Sequence, residues 1–199
     1  MTTLRAIRYA AWAAVAVALA IVGYVAWQQY GGGGRIAAAS IGGPFALTDQ
    51  HGATITEAQL KGHPTALFFG YTFCPDVCPT TLFEMTGWLG KLGPDGDKLK
   101  VYFVTVDPER DTQEALASYL SAFDPRIAGL TGSPEAVEAM TKAFRIYSRK
   151  VPIDGGGYIM DHTASIYLLN SDAVFTGTID YQEDPETALA KLKRLIENS

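Results

Sequence analysis

Residues 65–80 read TALFFGYTFCPDVCPT, and this stretch decides the fold class. The run from Thr65 to Tyr71 is largely apolar and predicts a buried strand. Two cysteines follow at once, and a helix is predicted from about Pro79 to Leu92. Folds that alternate strands and helices bind their ligands at the C-terminal ends of central strands. We therefore expect the functional site at this junction of strand and helix.

Cys74 and Cys78 are the only two cysteines of the 199 residues. A disulfide across so short a loop adds only about 2 kcal/mol to stability, so the pair points to redox or metal chemistry. The N-terminus of the following helix favours thiolates, which select Cu(I) and also accept Zn(II). Two inert buried cysteines are the alternative, and the neighbouring Pro75 and Pro79 disfavour it because proline avoids regular helix interiors.

A metal would need a third ligand, and the chain has three histidines. His51 lies in a predicted hairpin turn, and His63 precedes the first buried strand at the end remote from the cysteines. We interpret both as surface residues. His162 stands just ahead of a predicted core strand, after a glycine-rich stretch that can move, and it is the favoured candidate although a lone histidine is more often structural.

Strands and helices alternate along the rest of the domain. A hairpin is predicted around Asp49–Gly52, with a capping box of Thr56 and Gln59 after it. Further strands are predicted near residues 100–106, 127–130, 146–152, 158–160, 164–169 and 174–179. Further helices are predicted near residues 112–123, 133–145 and 185–197. This order argues for an α/β fold with a mixed sheet flanked by helices.

The N-terminal segment has a different composition. Residues 1–8 contain Arg5 and Arg8 and are predicted to be cytoplasmic. Residues 9–30 are predicted to be a transmembrane anchor, because an uncharged helix over residues 9–27 spans about 28 Å. A cleaved signal peptide, with a small-residue site at 37–39, stays the alternative. Residues 31–40 read as a flexible glycine-rich linker, and residues 41–199 as the folded domain.

The charge balance limits the partners. The formal net charge is −5, whereas nucleic-acid binding requires clustered lysine and arginine. We therefore expect no nucleic-acid partner.

Charged residues also surround the predicted site. The segment Asp107–Asp111 closes a predicted buried strand. It either shapes the site or its docking face, or it is a solvated turn in which Asp111 caps the next helix. We adopt the solvated turn. Asp76 and Asp161 flank the candidate ligands, and they either tune or orient the ligands or have simple solvated or capping roles.

Two features separate this chain from an ordinary thioredoxin. Three residues lie between the cysteines, where the redox motif has two. The segment Asp161–Thr163 also has no proline, where a thioredoxin carries a cis-proline facing its cysteines. A disulfide-exchange site has therefore lost its substrate-binding proline, and an imidazole stands nearby.

Several stretches in order resemble the Sco/SenC family of copper proteins that serve cytochrome c oxidase assembly. They are FGYTFCPDVCPT at residues 69–80, TVDPERDT at 105–112, FDPR at 123–126 and DHTASIY at 161–167. The resemblance covers the chain from about Ile41 onward and implies a thioredoxin-like domain. It also implies that Cys74, Cys78 and His162 are copper ligands, with Thr163 fitting the hydroxyl residue that usually follows the family's histidine.

The resemblance implies a metallochaperone that delivers copper, as Cu(I) or Cu(II), to the binuclear site of oxidase subunit II. The implied partners are that subunit, a thioredoxin-like reductant and an upstream copper donor. The implied location is a bacterial inner membrane with the domain in the periplasm, or a mitochondrial inner membrane with the domain in the intermembrane space. One tethered domain suggests a monomer.

Two other functions stay open. One is a thiol–disulfide reductase that keeps the oxidase cysteines reduced through Cys74 and Cys78. The other is a peroxiredoxin-like peroxidase, which would need one cysteine of low pKa and a peroxide pocket.

Overall fold

The computed structural model describes residues 2–26 and 41–199, which fall in two separate units. The first unit contains helix α1 (Thr2–Ala26). Across the ranges described, no helix combines the length and the apolar character needed to cross a membrane. The predicted linker at residues 31–40, and residues 27–30 of the predicted anchor, lie outside the described residues.

The second unit alternates strands and helices as predicted. Residues 41–199 contain nine strands, which are β1 (Ala46–Asp49), β2 (Thr54–Thr56), β3 (Thr65–Gly70), β4 (Lys100–Thr105), β5 (Ile127–Thr131), β6 (Ser148–Pro152), β7 (Tyr158–His162), β8 (Ile166–Leu169) and β9 (Phe175–Ile179). The helices of this unit are α2 (Val77–Leu92), α3 (Gln113–Leu120), α4 (Pro134–Ala143) and α5 (Pro185–Glu197). Two short 3₁₀ helices cover Glu57–Leu60 and Gly93–Lys98.

Seven strands form one mixed sheet in the order β2–β1–β5–β4–β3–β8–β9. The pairs β3–β4 and β4–β5 are parallel, and the other pairs are antiparallel. All six residues of β3 are buried, which explains its nearly continuous apolar sequence. Because β3 lies near the middle of the sheet, its C-terminal end holds the segment with both cysteines in a fixed place.

Local signals in the sequence account for the element ends. Asp49 accepts hydrogen bonds from the backbone N–H groups of His51 and Ala53 in the predicted hairpin turn. The predicted capping box of Thr56 and Gln59 is present. Ser133 caps α4 by accepting from the N–H group of Ala136, with Pro134 at the first helical position.

Strands β6 and β7 form a second, two-stranded sheet that makes no strand pairing with the main one. Ser148 pairs with His162, and Pro152 pairs with Tyr158. The residues Tyr158, Met160 and His162 alternate along β7 and share one face. This β6–β7 hairpin carries the predicted histidine ligand.

Candidate metal centre

The two cysteines lie where β3 passes into α2. The backbone N–H group of Cys74 donates to the carbonyl of Tyr71, which turns the chain directly after the strand. Helix α2 begins at Val77, two residues before the predicted start, and Cys78 therefore lies in its first turn. Pro79 is tolerated there because the first N–H groups of a helix have no partner within the helix. Cys78 is buried and Cys74 is half-buried.

Gly70 allows the close approach of Cys78 to the sheet. A Cβ atom at this position would lie 2.7 Å from the Sγ atom of Cys78 and 2.6 Å from the ring of Phe103. Both separations are far below ordinary van der Waals contact. Glycine is therefore required at the end of β3 if the thiol of Cys78 is to point at the site.

His162 is the last residue of β7, so it lies in a strand and not in the connection between the strands predicted at residues 158–160 and 164–169. Its pairing with Ser148 fixes the backbone in a strand. The Nδ1 atom of His162 lies 2.9 Å from the carbonyl oxygen of Thr163. A carbonyl oxygen only accepts, so Nδ1 carries the hydrogen and the lone pair of Nε2 is free for a ligand. The ring meets that of Tyr71 edge to face, with centroids 5.7 Å apart.

Cys74, Cys78 and His162 converge as predicted. Their ligand atoms lie within 4.8 Å of one another, and the described part of the chain holds no other such group of histidine, cysteine and carboxylate side chains. The Sγ atom of Cys78 is 3.7 Å from Nε2 of His162. Metal–sulfur and metal–nitrogen bonds of about 2.3 and about 2.05 Å, meeting at about 110 to 120°, put these atoms about 3.6 to 3.8 Å apart. Cys78 and His162 therefore lie at the separation of two ligands of one metal ion, and the Sγ atom of Cys74 is within 4.8 Å of both ligand atoms.

The two thiols differ in protonation. Hydrogen bonding with the thiol of Cys78, together with bonds from backbone N–H groups, lowers the pKa of Cys74 to about 3 despite partial burial. The same hydrogen bond, together with burial, raises the pKa of Cys78 above its ordinary value. The backbone N–H group of Cys78 also donates to the Sγ atom of Cys74, at 3.4 Å. The metal-free site thus holds one thiolate and one thiol, and a metal must displace the remaining proton.

Asp111 is buried and bonds the cysteine segment at Thr72, so the prediction that Asp111 belongs to a solvated turn is wrong. Its side chain is fully buried and accepts hydrogen bonds from the N–H and hydroxyl groups of Thr72 and from the hydroxyl of Thr105. Burial raises the pKa of Asp111, and the hydrogen bonds from Thr72 and Thr105 partly offset that effect. Helix α3 is capped instead by Thr112. Asp107 is buried as well.

Other predicted candidates stay outside the site. His51 and His63 are exposed, as predicted. Asp76 is exposed and accepts from the hydroxyl of Thr80 at 3.5 Å. Asp161 is exposed and lies 3.9 Å from Arg149 in an ion pair. The solvated alternative therefore describes both aspartates.

Tyr71, Arg110 and Tyr158 also lie at the site, and no sequence pattern marks them as site residues. The guanidinium of Arg110 lies 3.8 Å from the ring centroid of Tyr158 and 5.8 Å from that of Tyr71. The sequence signal that could have found them is weak. It consists of aromatic residues near both candidate ligand segments and one arginine in the segment 105–112. The sequence could not reveal that they meet.

The chain is similar to a known protein family and to solved structures of its members. The family model described as SCO1/SenC matches residues 34–197. Protein SCO2, mitochondrial, from Saccharomyces cerevisiae is 37% identical over 163 residues, which is 79% of this chain and 54% of that protein. The chain spans about half the length of most of the curated relatives it matches.

Solved structures give the same result. ScoI of Bradyrhizobium japonicum with copper bound is 50% identical, with a TM-score of 0.74 over 78% of this chain and 99% of that one. Yeast Sco1 with copper bound is 35% identical, with a TM-score of 0.74 over 80% of this chain and 90% of that one. The predicted thioredoxin-like mixed sheet flanked by helices is thereby confirmed.

Proposed function

The chain belongs to the SCO1/SenC family, and on that premise we propose that it is a copper metallochaperone with Cys74, Cys78 and His162 as copper ligands. The observation that carries the proposal is the approach of all three ligand atoms to within 4.8 Å of one another. Thiolate and imidazole form a soft donor set that suits copper. The copper in the structures of the two relatives supports the same cargo.

The exposure of the site favours transfer rather than storage. Cys74 is half-buried and lies beside Phe73, whose side chain is 59% exposed. An incoming thiolate can therefore approach the copper from the side of Cys74 and replace the protein ligands one at a time. The recipient we propose is the binuclear copper site of cytochrome c oxidase subunit II during oxidase assembly. An upstream copper donor would load the site.

We further propose that residues 9–30 anchor the protein in a membrane and that residues 41–199 lie outside the cytoplasm. The apolar side chains of α1 support this, since Trp12, Leu19 and Val22 are all more than half exposed. The membrane is the bacterial inner membrane with the domain in the periplasm, or its mitochondrial equivalent facing the intermembrane space. Retention in the membrane pellet after alkaline carbonate extraction tests the anchor, and release into the supernatant would contradict it.

Thiol–disulfide reductase activity is the second candidate, and the protonation of the cysteine pair favours it. The thiolate of Cys74 would attack one sulfur of a target disulfide and displace the other as a thiolate. The thiol of Cys78 would then lose its proton and attack Cys74, which releases the second target thiol and leaves a Cys74–Cys78 disulfide. A thioredoxin-like reductant would restore the dithiol.

One pair of variants separates the two functions. His162→Ala in the 199-residue chain should lower copper affinity at least tenfold, because the site loses its only nitrogen ligand, and it should leave dithiol chemistry intact. His63→Ala, an exposed histidine away from the site, is the matched control. Unchanged copper affinity in His162→Ala would remove this residue from the ligand set. Loss of disulfide reduction in the same variant would argue against the reductase.

A further inference from the structure

The β6–β7 hairpin needs side-chain contacts to hold His162 at the cysteines, because no strand pairing joins it to the main sheet. The inward face of β7 presents Tyr158, Met160 and His162 in turn, and Met160 packs into the core. Tyr158 lies four residues before His162, about 13 Å away along the strand. The contacts of Tyr158 therefore set the angle at which the hairpin lies against the domain.

Tyr158 is held at three points by the loop of residues 107–111. Its hydroxyl donates to Oδ1 of Asp107 at 2.8 Å. Its carbonyl oxygen accepts from Nη1 of Arg110 at 3.1 Å. Its ring lies under the guanidinium of Arg110, with 3.8 Å between the Cζ atom and the ring centroid. A backbone contact, a hydroxyl contact and a stacking contact together leave this residue little freedom.

Arg110 also contacts the cysteine segment. Its guanidinium lies 4.7 Å from the ring centroid of Phe73, the residue next to Cys74. Its Nε atom donates to Asp107, whose carboxylate is fully buried. A planar guanidinium can make these hydrogen bonds and stack on rings at the same time, which an ammonium cannot do. One side chain thus connects the segment of the cysteines with the hairpin of the histidine.

The loop of residues 107–111 is also bonded to the cysteine segment through its last residue, Asp111. Asp111 binds Thr72 through its carboxylate, and the backbone N–H group of Asp111 donates to the carbonyl of Asp107. The loop therefore connects Thr72 with Tyr158 through hydrogen bonds at both of its ends. A second contact between the two segments is the edge-to-face packing of the rings of Tyr71 and His162, whose centroids are 5.7 Å apart.

From these contacts we propose that Arg110 and Asp107 are positioning residues for the metal centre. They hold Tyr158 and thereby keep the imidazole of His162 in reach of both sulfurs. The inference deepens the proposed function and rests on the ligand set given there. Neither residue touches the metal: both act through the placement of the histidine. Groups that orient a metal-binding histidine typically change metal affinity about 10- to 100-fold when they are replaced.

A double-mutant cycle on the 199-residue chain tests this. Arg110→Lys keeps the charge beside Asp107 and loses the stacking and the planar fork. It should lower copper affinity about tenfold when His162 is present and less than twofold in the His162→Ala background, since no imidazole remains to be misplaced. Tyr158→Phe removes only the hydroxyl bond to Asp107 and should show the same dependence on His162, with a smaller loss.

Arg126→Lys is the matched control, because Arg126 also pairs with a neighbouring carboxylate, Asp124, in a different part of the domain. It should not change copper affinity in either background. An equal loss from Arg110→Lys and Tyr158→Phe with and without His162, or no loss at all, would overturn the inference. If His162→Ala alone left copper affinity unchanged, the proposed ligand set would fail, and the inference would fall with it.

Discussion

The Nε2 atom of His162 lies 3.7 Å from the Sγ atom of Cys78, although the two residues are 84 positions apart and lie on different elements, β7 and α2. That separation is already the one expected for two ligands of a single metal ion. This pair of ligand atoms is therefore in place before copper enters, and the Sγ atom of Cys74 lies within 4.8 Å of both.

Gly70 is predicted to be essential for the site. In Gly70→Ala, the added methyl group would meet the Sγ atom of Cys78 and the ring of Phe103, so we expect a loss of about 1 to 3 kcal/mol in unfolding free energy. Copper affinity should fall too, because the thiol is displaced. Urea denaturation and competitive copper titration measure the two effects.

Gly87→Ala is the control for this experiment. Gly87 lies on α2, and a Cβ atom there would have no neighbour within 4 Å. The substitution should stabilise the helix by about 0.5 to 1 kcal/mol and leave copper affinity unchanged. Equal stability of the two variants would contradict the steric role of Gly70.

The carboxylate of Asp111 is predicted to hold the cysteine segment in place. Asp111→Ala leaves the N–H and hydroxyl groups of Thr72 and the hydroxyl of Thr105 without this acceptor. We expect the unfolding free energy to fall by about 3 kcal/mol. Asp95→Ala, which breaks the exposed pair with Lys98, should change it by less than about 1 kcal/mol. Similar values for both variants would show that the buried carboxylate is not structural.

The two cysteines are predicted to differ in reactivity. The pKa of Cys74 is lowered to about 3, so its thiolate is present at pH 5, where a free cysteine is ionised to only about one part in three thousand. Alkylation of the metal-free chain by iodoacetamide should therefore label Cys74 at nearly the same rate from pH 5 to pH 8. Cys78, which is buried and has a raised pKa, should stay unlabelled in the folded chain. Fragment-ion mass spectrometry locates the label, and a rate that rises tenfold per pH unit would contradict the prediction.

Local patterns predicted most of the fold. Helix α5 begins at Pro185 and ends at Glu197, which is the range predicted from the sequence. The hairpin turn at Asp49 and the buried strand β3 are also where the sequence placed them. Each of these signals involves residues close together in the chain. The cysteine pair was likewise predicted as a redox or metal site from one short segment, because its two thiols lie four positions apart at a junction of strand and helix.

Contacts between distant segments could not be predicted in this way. Asp111 was expected to cap α3, but it bonds Thr72, which lies 39 positions earlier. His162 was expected between the strands predicted at residues 158–160 and 164–169, and its strand conformation depends on pairing with Ser148. The meeting of Arg110 with Tyr158 likewise spans 48 positions. Hydrophobic periodicity and secondary-structure propensity carry no information about such distant pairs. The residues that support the site could therefore be identified only from the structure.

The most direct test of the central claim is X-ray absorption at the copper K edge of the copper-loaded 199-residue chain. The structure predicts two sulfur neighbours at about 2.3 Å and one imidazole nitrogen at about 2.0 Å, with the imidazole signal lost in His162→Ala and kept in His63→Ala. A copper centre with fewer than two sulfur neighbours, or an imidazole signal that persists in His162→Ala, would contradict it.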